Sequence, residues 1–139
     1  MLNLRDKIIV RTDGGSNPNP GRAGIAFTVE RDGRLKCAYC EVVEGKITNN
    51  EAEYLALLKA LQFVSKNFPD SEVLVLSDSQ LIVRQIKGEY KVRSKNLLKI
   101  KRDIDELIGR MNFKIEWNGR QENKLADHLV RLARGEIDV

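Results

Sequence analysis

The stretch Thr48-Asn49-Asn50-Glu51-Ala52-Glu53-Tyr54-Leu55-Ala56-Leu57 begins the first helix that the sequence predicts, and the rest of the fold is organised around it. A helix advances by about 100° per residue, which sets four apolar residues within about 80° of Glu53: Leu57, Ala60, Leu61 and Val64. Glu53 therefore lies in the middle of the face that the helix turns to the core. Because a buried, ionised carboxylate is unfavourable unless it is paired or bound to a cation, we predict that Glu53 belongs to a functional site.

Glu51 has a different role in the same turn. It lies about 160° away from Glu53, on the polar face of the helix. Thr48 and Glu51 have the spacing of a capping box, in which each side chain accepts a hydrogen bond from the other residue's backbone. We predict that Glu51 caps the helix and that Glu53 points inward.

The segments around this helix predict a mixed α/β domain with the order βββαβααβα, and we expect one domain over residues 1–139. The first three strands have short links, which favour an antiparallel meander, and Arg31-Asp32-Gly33-Arg34 is typical of a hairpin turn. Residues 72–77 are almost continuously apolar, as expected of a strand buried on both faces. The predicted strands are residues 7–12, 23–30, 35–44, 72–77 and 112–117, and the predicted helices are 50–67, 79–87, 94–109 and 123–134, with a polar loop at 118–122.

The composition is that of a globular protein with a basic excess. The 139 residues are 42% hydrophobic and 32% charged, and the formal net charge is +4. This charge and a pI near 9.1 favour an anionic partner. The chain has no long apolar run and no secretory signal at its N-terminus, so we expect no membrane span.

Cys37 and Cys40 have the CxxC spacing of zinc and redox sites. Zinc needs about four ligands, however, and the sequence has no second pair of cysteines. A strand over residues 35–44 would also point the two thiols to opposite faces of the sheet. We therefore expect free, buried or half-buried cysteines, which favour a cytoplasmic protein.

Two predicted strands end in aspartate, Asp13 and Asp78. If these strands are parallel neighbours, both carboxylates leave the sheet at the edge where ligands bind in open α/β sheets. Each residue also has a plain explanation, Asp13 as a turn residue and Asp78 or Ser79 as the N-cap of the next helix. Together with the inward Glu53 they predict a site for a divalent cation, because converging carboxylates repel one another. Hard oxygen ligands favour Mg²⁺ or Mn²⁺ over zinc.

Four motifs, in this order and at these spacings, resemble type 1 ribonuclease H over nearly the whole chain. They are Thr12-Asp13-Gly14-Gly15-Ser16 with Asn19-Pro20-Gly21; Thr48-Asn49-Asn50 with Ala52-Glu53-Tyr54; Ser77-Asp78-Ser79-Gln80; and Asn123-Lys124-Leu125-Ala126-Asp127. The resemblance implies a five-stranded mixed sheet, with three antiparallel strands followed by parallel additions, flanked by helices. It also implies cleavage of the RNA strand of RNA–DNA hybrids into products with 5′-phosphate and 3′-hydroxyl ends.

The resemblance further assigns the metal ligands and the substrate contacts. Two Mg²⁺ ions (with Mn²⁺ as an alternative) would be held by Asp13, Glu53, Asp78 and Asp127. Asp127 follows from the resemblance alone, because helical arithmetic sets it on a solvated face, opposite Leu125, Leu129 and Leu132. Asn19, Asn49, Asn50 and Gln80 would face the minor groove, where 2′-hydroxyls distinguish RNA from DNA. Ser16 and Thr48 would make backbone or phosphate contacts with the substrate.

The sequence departs from the family at two places. Many members carry a catalytic histidine in the loop before the last helix, where this chain has Arg120. The single histidine, His128, is expected at the surface or half-buried. The basic protrusion of some bacterial members is absent, with only residues 87–94 in its place. Residues 84–102 are nonetheless strongly basic, and we expect them to face phosphates.

Two other classes compete with a hybrid nuclease that acts as a monomer. A module that binds hybrids without cleaving them would lack one of the family carboxylates, and all four are present. Another nuclease or integrase of the broad superfamily would share the acidic residues but not the Thr-Asn-Asn motif.

Overall fold

The computed structural model describes residues 6–137, with the Arg120 side chain outside the described part. The element order is the predicted βββαβααβα, with one short 3₁₀ helix before the last helix. The strands are β1 (Lys7–Ser16), β2 (Gly21–Arg31), β3 (Arg34–Ile47), β4 (Glu72–Ser77) and β5 (Asn112–Trp117). The helices are α1 (Asn49–Asn67), α2 (Gln80–Ile86), α3 (Lys95–Ile108) and α4 (Lys124–Ala133), and the 3₁₀ helix is Arg120–Asn123.

The five strands form one mixed sheet in the order β3-β2-β1-β4-β5. β1, β2 and β3 pair antiparallel, and β4 and β5 are added in parallel, as predicted. The register of β1 with β4 sets Thr12 opposite Ser77. Asp13 and Asp78, which follow these two residues, therefore lie side by side where the pairing of β1 with β4 ends.

Helices cover the two faces of the sheet unequally. α1, α2 and α3 bury the main core on one face, where the largest fully buried side chains include Tyr54, Ile8, Leu57, Leu61 and Ile104. α4 packs on the opposite face, because Gly24 lies against the Val130 carbonyl while its neighbours Ala23 and Ile25 pack with α1. α4 packs mainly on β1, β2 and β3. This leaves the β4 side of that face partly open.

The open face corrects one expectation for β4. Val73 and Val75 are buried, but Leu74 and Leu76 on the other face are only half-buried. The prediction of burial on both faces was wrong, since an apolar run does not reveal where the covering helix ends.

β1 is longer than the turn residues suggested. It continues through Asp13-Gly14-Gly15-Ser16, which pair with β2 as far as Ala23. Gly14 and Gly15, which would usually indicate a turn, belong to the strand here because both pair with β2. A second difference lies before α4, where the expected polar loop contains the 3₁₀ helix.

Several local predictions are confirmed. Thr48 accepts a hydrogen bond from the Glu51 backbone, and the Glu51 side chain accepts from the Thr48 backbone, which completes the capping box. Asp32 and Gly33 both have positive φ, as two-residue hairpins require. Cys37 and Cys40 are free and half-buried. His128 is exposed. Within residues 6–137, no helix is long and apolar enough to cross a membrane.

Gly14 sets how closely α1 approaches β1. A Cβ atom at this position would lie 2.4 Å from the Ala52 carbonyl oxygen and 2.8 Å from the Glu53 nitrogen. Because these are backbone atoms of a helix held on the core, they cannot move aside cheaply. The absence of a side chain at Gly14 therefore places the start of α1 against the sheet edge.

We predict that Gly14→Ala lowers the free energy of unfolding by about 2 to 3 kcal/mol, because the added methyl group pushes α1 away from β1. Urea unfolding followed by circular dichroism measures the change. The matched control is Gly119→Ala, where a Cβ would meet nothing within 4 Å and the effect should stay within about 0.5 kcal/mol. Equal effects of the two substitutions would contradict the close approach.

Candidate active site

Three carboxylates meet where β1, α1 and β4 converge. Asp13 comes from β1, Glu53 from the second turn of α1, and Asp78 directly follows β4. One oxygen of each lies within 4.8 Å of the others. These three residues are called the carboxylate group below. They are the same three carboxylates that the sequence predicted, Asp13 and Asp78 from the ends of predicted strands and Glu53 from its face of the helix.

The Gly14 backbone holds two members of the carboxylate group together. Its N–H donates to Asp13 Oδ1 at 3.0 Å and to Glu53 Oε1 at 2.9 Å. The other Glu53 oxygen, Oε2, is buried and has no hydrogen-bond partner in the described structure. Glu53 is 9% exposed, in keeping with its predicted place on the buried face. The site thus contains a buried carboxylate oxygen that the protein itself does not satisfy.

The acid–base properties of this pair are shifted from those of ordinary carboxyl groups. Burial, with additional repulsion from Asp78 and Asp127, raises the pKa of Asp13 from 3.8 to about 6, although a hydrogen bond with Glu53 opposes the rise. Burial and then the neighbouring Asp13 charge raise the pKa of Glu53 well above its usual value. Both shifts mean that the folded site carries more negative charge than it can stabilise alone.

A divalent cation fits these residues. The unsatisfied Glu53 oxygen and the raised pKa values both report a deficit of positive charge, and carboxylate oxygens are the donors that hard cations such as Mg²⁺ and Mn²⁺ prefer. A cation would favour the ionised form of all three carboxyl groups. Asp13, Glu53 and Asp78 are therefore the residues that could hold a metal ion.

Asp127, the fourth carboxylate, lies at the rim of the same cleft. It lines the cleft with Asp13, Glu53 and Asp78 and is near enough for its charge to raise the pKa of Asp13, but it lies outside the compact group of three. Asn123 anchors this end of α4, because its side-chain amide donates to the Thr12 carbonyl at 2.9 Å. The fold thus brings Asp127 of α4 to the rim of the cleft.

The predicted substrate residues and Arg120 lie at different places around the cleft. Asn49 and Asn50 line the cleft of about 500 Å³ that contains the carboxylate group. Gln80 is exposed and lies in a neighbouring groove. Thr48 is occupied in the helix cap. Arg120 belongs to the 3₁₀ helix, and its side chain lies outside the described part of the structure.

Ser16, Asn19 and Asn49 form a hydrogen-bonded unit beside the cleft. Asn49 Oδ1 accepts from the Ser16 backbone at 2.9 Å and from Ser16 Oγ at 3.1 Å. Asn19 Oδ1 accepts from the Asn49 backbone at 3.1 Å and from Ser16 Oγ at 3.3 Å. These contacts join the loop after β1 to the first turn of α1. Both amide oxygens are engaged, so the amide NH₂ groups are the parts that remain for a ligand.

Trp117 and Arg134 also line the cleft, although the sequence did not identify them as site residues. Trp117 is 51% exposed, and its indole N–H donates to the Asp78 carbonyl at 3.2 Å. It ends β5, so the strand-end rule that found Asp13 and Asp78 would also have found Trp117. Arg134 gives no such signal, because it follows α4 among other basic residues.

The fold and the carboxylate group at the joint edge of β1 and β4 define a domain of the ribonuclease H class. A family model described as reverse transcriptase-like matches residues 11–133. The ribonuclease HI of Halobacterium salinarum is 32% identical over 123 residues, which cover 87% of this chain and 61% of that protein. The chain belongs to the ribonuclease HI family.

Two further comparisons bear on the family. The structure of LC11-RNase H1 in complex with an RNA/DNA hybrid has a TM-score of 0.86 and 36% identity, and the match covers 93% of this chain and 97% of that one. The bifunctional protein Rv2228c of Mycobacterium tuberculosis is 37% identical over 128 residues, which cover 89% of this chain. The chain spans only 34% of the length of that relative.

We predict that the metal-free protein loses stability as pH rises because of the carboxylate group. A carboxyl group whose pKa is raised by folding binds its proton more tightly in the folded state. This contribution is fully present below the ordinary pKa of 3.8 and is lost as pH rises through about 6 for Asp13. The double variant Asp13→Asn/Glu53→Gln lacks both groups and should lose on the order of 2 kcal/mol less than the wild type across this range.

Urea unfolding in the presence of a chelator, at several pH values between about 4 and 8, measures the difference between the two proteins. Their shared titrations cancel in this difference, which isolates Asp13 and Glu53. If the free energy of unfolding changes with pH in the same way for the wild type and the double variant, the raised pKa values of Asp13 and Glu53 would be contradicted.

Proposed function

We propose that this chain is an endonuclease that hydrolyses the RNA strand of RNA–DNA hybrids and leaves 5′-phosphate and 3′-hydroxyl ends. The observation that carries the proposal is the carboxylate group at the strand edge, in a chain of the ribonuclease HI family. The hybrid bound to the related LC11-RNase H1 supports the choice of substrate.

Asp13, Glu53 and Asp78 would hold the catalytic cation, with Asp127 available for a second ion at the rim. Mg²⁺ is the proposed cofactor, with Mn²⁺ as an alternative. When bound, the two ions would lower the pKa of the attacking water and stabilise the negative charge on the leaving 3′-oxygen. The shared Gly14 N–H keeps the Asp13 and Glu53 oxygens in fixed positions, which reduces the reorganisation needed when the charge develops.

The amide residues next to the cleft would recognise the hybrid. Because the oxygens of Asn19 and Asn49 are held by their own hydrogen bonds, their NH₂ groups can donate to 2′-hydroxyls or to acceptors at the base edges. Asn50 and Gln80 would extend the same set along the minor groove. We also propose that Ser16 and Thr48 contact the backbone or phosphates of the hybrid. Thr48 also caps α1 and so holds Asn49 and Asn50 in place.

A basic surface would follow the hybrid away from the cleft. It consists of Arg84, Lys87, Lys91, Arg93, Lys95, Lys99, Lys101 and Arg102. Two of these residues are already paired, Arg84 with Glu89 and Lys101 with Asp105. The others are exposed. Arg84 and Lys87 line a groove with Gln80 and Trp117, and Trp117 also borders the cleft. This continuity supports a substrate path from the cleft to the basic surface in the absence of a protrusion.

We also propose that the chain acts as one domain over residues 1–139, as a monomer and in the cytoplasm. Product analysis of hybrids labelled on either strand, with and without Mg²⁺, tests the function directly. RNA fragments with 5′-phosphate ends that appear only with the metal ion are expected. Cleavage of the DNA strand, or no cleavage, would contradict the proposal.

We predict that Asp13→Asn, Glu53→Gln and Asp78→Asn each lower the rate of hybrid cleavage by at least about two orders of magnitude, because each removes a proposed metal ligand. Thermal unfolding without metal should show equal or higher stability, since repulsion within the carboxylate group is relieved. Glu51→Gln is the matched control from the same turn and should retain most activity. Loss of activity in Glu51→Gln but not in Glu53→Gln would reverse the assignment.

We predict that Arg120 supports turnover through its charge and not through proton transfer. Its guanidinium stays protonated at every working pH but can bind the scissile or the departing phosphate. Arg120→Ala should slow turnover by about one to two orders of magnitude, and Arg120→Lys should recover part of the loss. Steady-state rates from about pH 5.5 to 9 measure both effects. A limb of the pH–rate profile that disappears in His128→Ala would show instead that the histidine carries the proton.

A further inference from the structure

Arg134, just after α4, extends into the cleft that contains the carboxylate group. Its side chain is only 14% exposed, and it lines the cleft together with Asp13, Asn49 and Asp127. Removing a guanidinium from water in this way is unfavourable unless its N–H groups find partners. The residues around Arg134 show which N–H groups have a partner and which face the cleft.

A pair of glycines admits the Arg134 side chain. Gly15 of β1 lies directly opposite Gly24 of β2 in the sheet. A Cβ atom at Gly15 would lie 3.2 Å from Arg134 Nη1, and one at Gly24 would lie 3.2 Å from Arg134 Cγ. The two glycines form a slot on the sheet in which the stem of the arginine lies. The slot directs the guanidinium towards the cleft edge beside Asn49.

Glu136 fixes the orientation of this guanidinium. Arg134 Nη2 donates to Glu136 Oε1 at 3.1 Å, and Nε lies next to Oε2. Asn17 also reaches Glu136 Oε2, at 3.5 Å. The hydrogen bond from Arg134 lowers the pKa of Glu136, which keeps this partner ionised. The acid therefore occupies one edge of the guanidinium and leaves Nη1 on the side of Gly15 and the cleft.

Nη1 is the part of the guanidinium that remains for a ligand in the cleft. The position of a Gly15 Cβ atom lies 3.2 Å from Arg134 Nη1 and 3.7 Å from Asn49 Oδ1, and that Asn49 oxygen already accepts hydrogen bonds from Ser16. The N–H groups of Nη1 are therefore placed to donate to an anion bound beside Asn49.

We propose that Arg134 binds a backbone phosphate of the hybrid on the Asn49 side of the cleft, with Glu136 as its positioning residue. This inference rests on the proposed function. Arginine suits the task because its planar fork can bond Glu136 along one edge and phosphate oxygens with the remaining N–H groups. Such a contact acts on substrate binding, so Arg134 is a substrate-binding residue and not a metal ligand.

Binding of a labelled hybrid at several salt concentrations tests the proposal, in an Asp13→Asn background so that the substrate stays intact. Arg134→Met should weaken binding by about 5- to 20-fold at low salt and make the slope of log K against log salt shallower by about one unit. Arg134→Lys should keep the slope. Arg131→Met is the matched control, because Arg131 is an exposed residue of the same helix, and it should change neither quantity. Thermal unfolding of each variant measures its folding.

A second measurement works even if Arg134→Met is poorly folded. In hybrids with a single neutral methylphosphonate at successive positions, one position should weaken binding by the wild type and by Arg134→Lys, which keeps the charge, but have little effect on a folded Arg134→Gln variant. Failure of the wild type to bind or cleave any hybrid would remove the proposed function itself. Normal binding and cleavage by the wild type, with an unchanged salt slope in Arg134→Met and no such position, would overturn only the phosphate contact and leave a structural ion pair.

Discussion

The structure depends on one backbone donor, the Gly14 N–H, which is shared by Asp13 and Glu53. This contact is possible only because α1 packs directly against β1, and a side chain at position 14 would prevent that close packing. The same approach completes the core on the buried face of α1, so the helix cannot pack without bringing its carboxylate to the strand edge. Asp78 then joins through the register of β1 with β4. Packing and charge are therefore coupled in this fold, and the repulsion within the carboxylate group is a consequence of a well-packed core.

The negative charge of the carboxylate group also affects how a polyanionic substrate could bind. A hybrid backbone would be repelled by the carboxylate group unless cations offset it. The chain supplies positive charge on two sides, with Arg134 held by Glu136 at one edge of the cleft and the basic surface of residues 84–102 beyond Trp117 at the other. A bound metal ion would supply the rest at the centre. Positive charge at the carboxylate group would therefore come from the cation, and positive charge on either side of the cleft comes from the protein.

Features governed by local rules could be predicted from the sequence, including the capping box, the inward side of Glu53, the hairpin and the end of β4 before Asp78. Features governed by what an element packs against could not. Helical arithmetic set Asp127 in solvent because it describes the helix and not the cleft across which α4 lies. The same limit explains the half-buried face of β4. Arg134 escaped notice because the slot that receives it is formed by two glycines, Gly15 and Gly24, which become neighbours only through strand pairing.

We infer that Glu53, Asp13 and Asp78 form a cation site, because the buried Glu53 oxygen has no partner in the described structure and the pKa of Asp13 is raised to about 6. The thermal unfolding midpoint as a function of Mg²⁺ or Mn²⁺ concentration, without substrate, tests this site in the wild type, Glu53→Gln and Glu51→Gln. The wild type and Glu51→Gln should be stabilised progressively, because the ion binds only the folded site, and Glu53→Gln should respond weakly. Equal stabilisation of Glu53→Gln, or no response of the wild type up to millimolar concentrations, would contradict a cation site at these carboxylates.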